Sequence, residues 1–181
     1  MKKLIGRIIT IVIALLVVGV LTWRLWPQSI SSILPADVAV ITDFSAVASV
    51  TVFKDGVSST HAYSLNDLEQ HSNAPQELLD ILATSGYRPD MRNLLPKGVD
   101  VVYGGKDYDG RRVTLDFITE NDFDTYSGIY FLSSDVVAVN PSNGSGLLIY
   151  HPTSPETLNA LVEYLQTHGE KRLISQVDSP S

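Results

Sequence analysis

An α+β domain behind an N-terminal transmembrane helix is the fold class this sequence predicts, and three observations predict it. Residues 8–23 (IITIVIALLVVGVLTW) are an uncharged apolar run whose character extends outward to Leu4 and Trp26. Downstream, short segments rich in Val, Ile, Thr and Tyr alternate apolar with polar residues between glycine- and proline-containing turns, the pattern of antiparallel strands. Two further stretches carry leucines at helical spacing behind a proline and an acid, as helices packed on a sheet do. A chain of 181 residues has room for such a segment and one domain of ordinary size.

The apolar segment comes first. At about 1.5 Å per residue, Leu4 to Trp26 would reach roughly 34 Å, against a hydrocarbon thickness of about 30 Å. Lys2, Lys3 and Arg7 precede the run, and positive flanks stay cytoplasmic, so residues 1–27 are read as a start and signal-anchor with the N-terminus inside. Trp23 and Trp26, the two tryptophans of the chain, bracket Arg24 before Pro27 and suit the outer interface. Arg7 and Arg24 can bend toward headgroups. A cleaved signal peptide is the competing reading, but tryptophans and an arginine stand where a small-x-small cleavage site would lie. Residues 28–35 (QSISSILP), rich in serine and closed by proline, read as a tether to a domain over 36–169.

Within that domain, Val38–Thr42 and Ser49–Phe53 are β-branched runs. The second meets Asp55-Gly56, whose glycine accepts the positive φ of a two-residue hairpin turn, and returns as Val57–Tyr63. The small polar residues of that return place the hairpin toward a sheet edge with one face wet. A short helix is expected over Leu65–His71 and a firmer one over Pro75–Ser85, where Leu78, Leu79 and Leu82 form a stripe that Gly86 ends. Arg88–Lys97 reads as a loop packing Leu94 and Leu95 inward. Val99–Tyr103 and Arg111–Thr119 make a second hairpin through GGKDYDG, with Val113, Leu115 and Phe117 on one face. Ile129–Leu132, Val136–Val139 and Leu147–Tyr150 suit central strands covered on both faces. Ser154 as N-cap and Pro155 at the first helical position open a last helix. Its stripe is Leu158, Leu161, Val162 and Leu165, and Gly169 closes it. The sum is an antiparallel sheet of about six or seven strands under two or three helices, followed by a flexible tail over 170–181.

Composition then removes functions. No cysteine means no disulfides, thiolate nucleophile or Cys-ligated metal. Four of the 13 basic residues precede position 27 in a segment with no acid, which leaves nine against 20 acids in the rest, so nucleic acid is not an expected partner. His61, His71, His151 and His168 show no metal-ligand spacing, although folding could join His61 and His151 to a carboxylate. Serine-nucleophile motifs are missing, and Gly104-Gly105-Lys106 lacks the rest of a phosphate loop. Asp107 and Asp109, then Glu120, Asp122 and Asp124, flank a strand whose length keeps the two groups apart, which argues against one calcium site. No catalytic residue, cofactor or metal is therefore assigned. The loop NPSNGSG offers Asn140, Ser142, Asn143 and Ser145 as a recognition loop between rigid strands.

These readings converge on a single-pass protein of the cytoplasmic (inner) membrane whose acidic periplasmic or extracellular domain binds another envelope or membrane protein. Its role would be that of a scaffold, accessory or inhibitor. The lipid bilayer is the second partner, through residues 4–26. The alternative is an envelope-facing hydrolase using a carboxylate pair, for which the 20 acids leave room.

Overall fold

The computed structural model describes residues 2–34, 41–94, 109–119, 126–141 and 146–178. Over these the α+β expectation holds: eight strands form one antiparallel sheet accompanied by four α-helices. Helix α1 (Lys2–Arg24) takes in the apolar run, and its described side chains, Arg7 to Trp23, are exposed. Among the described residues no helix is long and apolar enough to cross a membrane.

Strand β1 (Ile41–Lys54) turns through Asp55 and Gly56, with φ of 53° and 77°, into β2 (Val57–Asn66). Both turn residues take positive φ, as the two-residue hairpin requires. Helix α3 (Ala74–Ala83) follows α2 (Ile30–Ile33) in the helical layer. The chain then runs through β3 (Tyr87–Pro89), a 3-10 turn over Met91–Leu94, β4 (Arg111–Thr119), β5 (Tyr126–Phe131), β6 (Val137–Pro141) and β7 (Leu148–Pro152). Helix α4 (Glu156–His168) leads directly into β8 (Glu170–Asp178). The order across the sheet is β3-β7-β6-β5-β4-β1-β2-β8.

One face of the sheet carries the helices. Phe44, Ala46 and Ala48 of β1 and Val113, Leu115 and Phe117 of β4 point there, beneath Leu158, Leu161 and Leu165 of α4, all within 2% of full burial. Each large side chain buried this way contributes about 1.5–3 kcal/mol. Tyr164 ties α4 to α3 by donating its hydroxyl to Glu77 Oε2 at 2.6 Å. The opposite face of β1, β2 and β4 presents half-buried small polar side chains, among them Ser49, Thr51, Ser64 and Thr114.

Several expectations are corrected. Glu170–Asp178, expected within a flexible tail over 170–181, is a strand registered on β2 from Ser64 to Val57, and residues 179–181 lie outside the described residues. Strand β8, not the first hairpin, is therefore the edge. Residues 28–34, expected as part of a tether over 28–35, are docked on the domain, and residue 35 lies outside the described residues. Ile30, Ile33 and Leu34 are buried in the core, and Gln28 exchanges both backbone hydrogen bonds with Tyr87 at 2.9 Å. Serines masked three core positions at helical spacing. The runs at Val38–Thr42 and Ser49–Phe53 are not two strands, because β1 continues from Ile41, its middle carried by alanines that give a weak strand signal. Residues 38–40 lie outside the described residues.

Leu65 belongs to β2, not to a helix. Asp67, at φ 84°, breaks the chain there and accepts the amides of Glu69 and Gln70 on Oδ1. Arg88 and Pro89, read as the start of a loop over Arg88–Lys97, belong to β3. At α4 the N-cap position is Pro155 with no side-chain cap, while the Ser154 amide goes to Ser85 Oγ at 3.2 Å. Gly169 ends α4 as expected. A Cβ there would lie 2.7 Å from the Leu165 carbonyl oxygen and 3.0 Å from that of Ser64, too tight for any side chain. The expected strand over Val99–Tyr103 and the inward packing of Leu94 and Leu95 fall outside the described residues or side chains.

Candidate functional site

Two ends of the sheet concentrate features that the core does not explain. At the β3 end, the exit of α1 stands against the strand edge and leaves two adjoining open clefts. One, of about 850 Å³, is lined by Thr22, Leu25, Trp26, Pro27 and, across from them, Arg88, Pro89, Asp90, Met91 and His151. The other, of about 610 Å³, shares Leu25, Trp26, Pro27, Pro89 and Asp90 and adds Trp23, Asn93 and Tyr150 among its walls. Trp26 and Met91 are 66% and 64% exposed, so apolar surface is left open beside charged groups.

The backbone places those groups. Arg88 of β3 is registered opposite His151 of β7, which puts both on one sheet face. The Asp90 amide donates to the Ile149 carbonyl at 2.9 Å, and Asn93 clamps Ile149 from both sides, at 2.6 and 2.9 Å. Asp90 Oδ1 accepts the Arg92 amide at 2.7 Å and Arg92 Nε at 2.9 Å. Its Oδ2 accepts Arg92 Nη2 at 2.6 Å and His151 Nε2 at 2.9 Å. The Arg92 hydrogen bonds hold the Asp90 carboxyl well below the usual carboxylate range.

Four donor contacts converge on the Asp90 carboxylate. A carboxylate offers about four acceptor positions, and all those of Asp90 are taken. His151 Nδ1 faces the Asp135 carbonyl at 2.8 Å while Nε2 faces Asp90, so both contacts are hydrogen bonds only when both ring nitrogens carry protons. Among the described residues each cleft is lined by one carboxylate, Asp90. The structure thus joins His151 to a carboxylate, as folding was thought able to do, but leaves His61 on β2 near the far end of the sheet. Among the described residues no group of three or more His, Cys, Asp or Glu could hold a metal ion.

At the other end β8 is an edge. Leu173, Ile174 and Val177 are 51%, 57% and 61% exposed, and Val52 and Phe53 at the neighbouring hairpin tip are exposed as well. A register shift opposite Thr60 and His61 interrupts the β2–β8 pairing. Glu170, Lys171 and Arg172 open the strand and Asp178 ends it, so the charged residues flank an uncharged stretch from Leu173 to Val177. Long exposed edges with apolar side chains are ready templates for another strand.

Of the residues singled out from sequence, Arg7, Trp23 and Trp26 are exposed, and both tryptophans line the clefts. The side chains of Lys2, Lys3 and Arg24 lie outside the described residues. Asn140 lies in β6, one residue before its end. Ser142, Asn143 and Ser145 lie outside the described residues, as do Asp107, Glu120, Asp122 and Asp124. Asp109 holds the Arg111 guanidinium at 2.5 Å, a local turn contact. The Arg88, Asp90 and Arg92 group went unread because it sat in an assumed loop. The sequence signal was Arg-Pro-Asp-x-Arg, in which an aspartate two residues before an arginine can accept both its amide and its side chain. No protein-family model, curated protein or solved structure matches the chain.

Proposed function

We propose that this chain is a non-catalytic, single-pass protein of the cytoplasmic (inner) membrane. Its extracytoplasmic domain binds another envelope or membrane protein by accepting a strand at β8. The observation that carries the binding reading is the β8 edge: a nine-residue strand at the end of the sheet with Leu173, Ile174 and Val177 exposed. A partner strand added there would gain main-chain hydrogen bonds from the edge and specificity from alternate side chains.

The anchor reading draws on the run from Leu4 to Trp26, on the helical backbone of α1, and on the basic residues that precede the run. Because residues 28–34 dock into the domain, the domain would stand directly on its anchor with little freedom to swing. Such restriction raises the effective concentration toward other membrane-bound partners.

Chemical cross-linking in gently solubilised native membranes, with adducts mapped to residues, tests the binding reading. Adducts to a second protein through Lys171 and the β8 segment are expected. Recovery of uncross-linked monomer alone would overturn it. Protease added to spheroplasts, whose cytoplasmic membrane is intact and exposed, tests the anchor: the domain should be digested and the N-terminus protected.

A further inference from the structure

We propose that the paired clefts at the β3 end hold one phospholipid molecule, with its phosphate against Arg88 and its glycerol and upper acyl chains along Leu25, Trp26 and Met91. The proposal rests on the reading of α1 as a membrane anchor, because that reading sets the clefts at headgroup depth. Their walls are the last turn of α1 and its exit on one side and the β3 edge on the other. At that depth the abundant amphiphile is phospholipid, and tryptophans gather there because their rings have one apolar and one polar side.

Charge complementarity selects the phosphate. The domain is acidic as a whole, yet this cleft gathers Arg88 and His151 around a single carboxylate that Arg92 already neutralises. Arg88 is exposed and has no hydrogen bond or ion pair among the described residues, so its guanidinium is the group left to receive an anion. An arginine fork meets phosphate oxygens with charge-assisted hydrogen bonds. Pro89, Pro27 and Met91 complete a floor without competing donors. A cleft of about 850 Å³ is within the range that encloses a ligand of headgroup-plus-glycerol size.

Trp23 and Trp26 are the two tryptophans of the chain, and both lie at the clefts, which gives a direct readout. The full chain in mild detergent, carrying Trp23→Phe so that Trp26 alone reports, is titrated with dihexanoyl phosphatidylglycerol, with dihexanoylglycerol and with glycerol phosphate. The expected result is a saturable shift of Trp26 emission with the phospholipid. Binding should be at least about tenfold weaker for the probe lacking phosphate, for the probe lacking acyl chains, and for phospholipid on Arg88→Ala. Arg88 is exposed, so the variant keeps the wild-type circular dichroism and unfolding midpoint.

A response that fails to saturate, or that Arg88→Ala leaves unchanged, would overturn the proposal. Glycerol phosphate binding as tightly as the lipid would also overturn it, by making free phosphate the ligand. Protection of the N-terminus from external protease is read separately. Its failure alongside a saturable titration removes the anchor and leaves the cleft, and the reverse removes the cleft and leaves the anchor.

Discussion

The two edges of the sheet solve the same problem in opposite ways. At β3 the strand is three residues long, and Gln28 takes both hydrogen bonds of Tyr87. Tyr87 itself is fully buried, with its hydroxyl donated to the Leu82 carbonyl at 2.9 Å. Ionised groups then hold the following turn. At β8 the strand is nine residues long, lies at the end of the sheet, and exposes aliphatic side chains. One edge is closed by the chain's own N-terminal segment, and the other carries no further strand among the described residues. The contrast separates residues that make the domain stand from residues that give it something to do.

If that division is right, changes at the closed edge should be felt by the fold. Tyr87→Ala is expected to cost about 3–5 kcal/mol in urea unfolding, since it empties a fully buried aromatic site, and Tyr87→Phe about 1 kcal/mol for the lost hydrogen bond. A small effect of Tyr87→Ala would mean that the Gln28 clasp is incidental. Asp90→Ala, which removes the carboxylate contacts to Arg92 and His151, should cost about 1 kcal/mol by the same measurement.

Two aspartates sharpen the comparison through pH. Asp90 stays ionised in the folded chain after the unfolded chain has taken up its proton. The unfolded state then binds more protons, and stability falls as pH drops below the ordinary carboxylate range. Asp116 has the opposite sign. Burial pushes its carboxyl up despite the 2.9 Å hydrogen bond from the Tyr130 hydroxyl, so the folded state binds the extra proton, and stability falls as pH rises through that raised value. Unfolding midpoints across acid pH should lose the first slope in Asp90→Asn and the second in Asp116→Asn. The smallest effect on the fold belongs to the open edge. Ile174→Lys should shift stability by no more than about 0.5 kcal/mol while removing the proposed partner, which thermal unfolding and cross-linking check together.

What could be read in the sequence tracks how local its cause was. Strand β4 was legible to its ends because Val113, Leu115 and Phe117 alternate against polar neighbours, and α4 because its apolar stripe repeats on one helical face. The Asp55-Gly56 turn was legible because its backbone demands those residue types. Strand β8 was not, since Glu-Lys-Arg followed by mixed residues has no alternation, and only pairing with β2 makes it a strand. The 28–34 segment failed for a related reason: Ile30, Ile33 and Leu34 are core only because α3 and the sheet stand over them. The Asp90–His151 contact joins residues 61 positions apart, and a spacing of that size leaves no mark in a sequence window.

A photoreactive residue at Ile174 or Val177 of the full chain in native membranes, with one at Glu163 on the exposed face of α4 as reference, tests the open-edge proposal most directly. The expected result is a discrete adduct to one partner at the two β8 positions, none at Glu163, and its loss when Leu173 is replaced by proline. Adducts of equal yield at all three positions, or none at β8, would contradict the claim that this edge is what the domain offers.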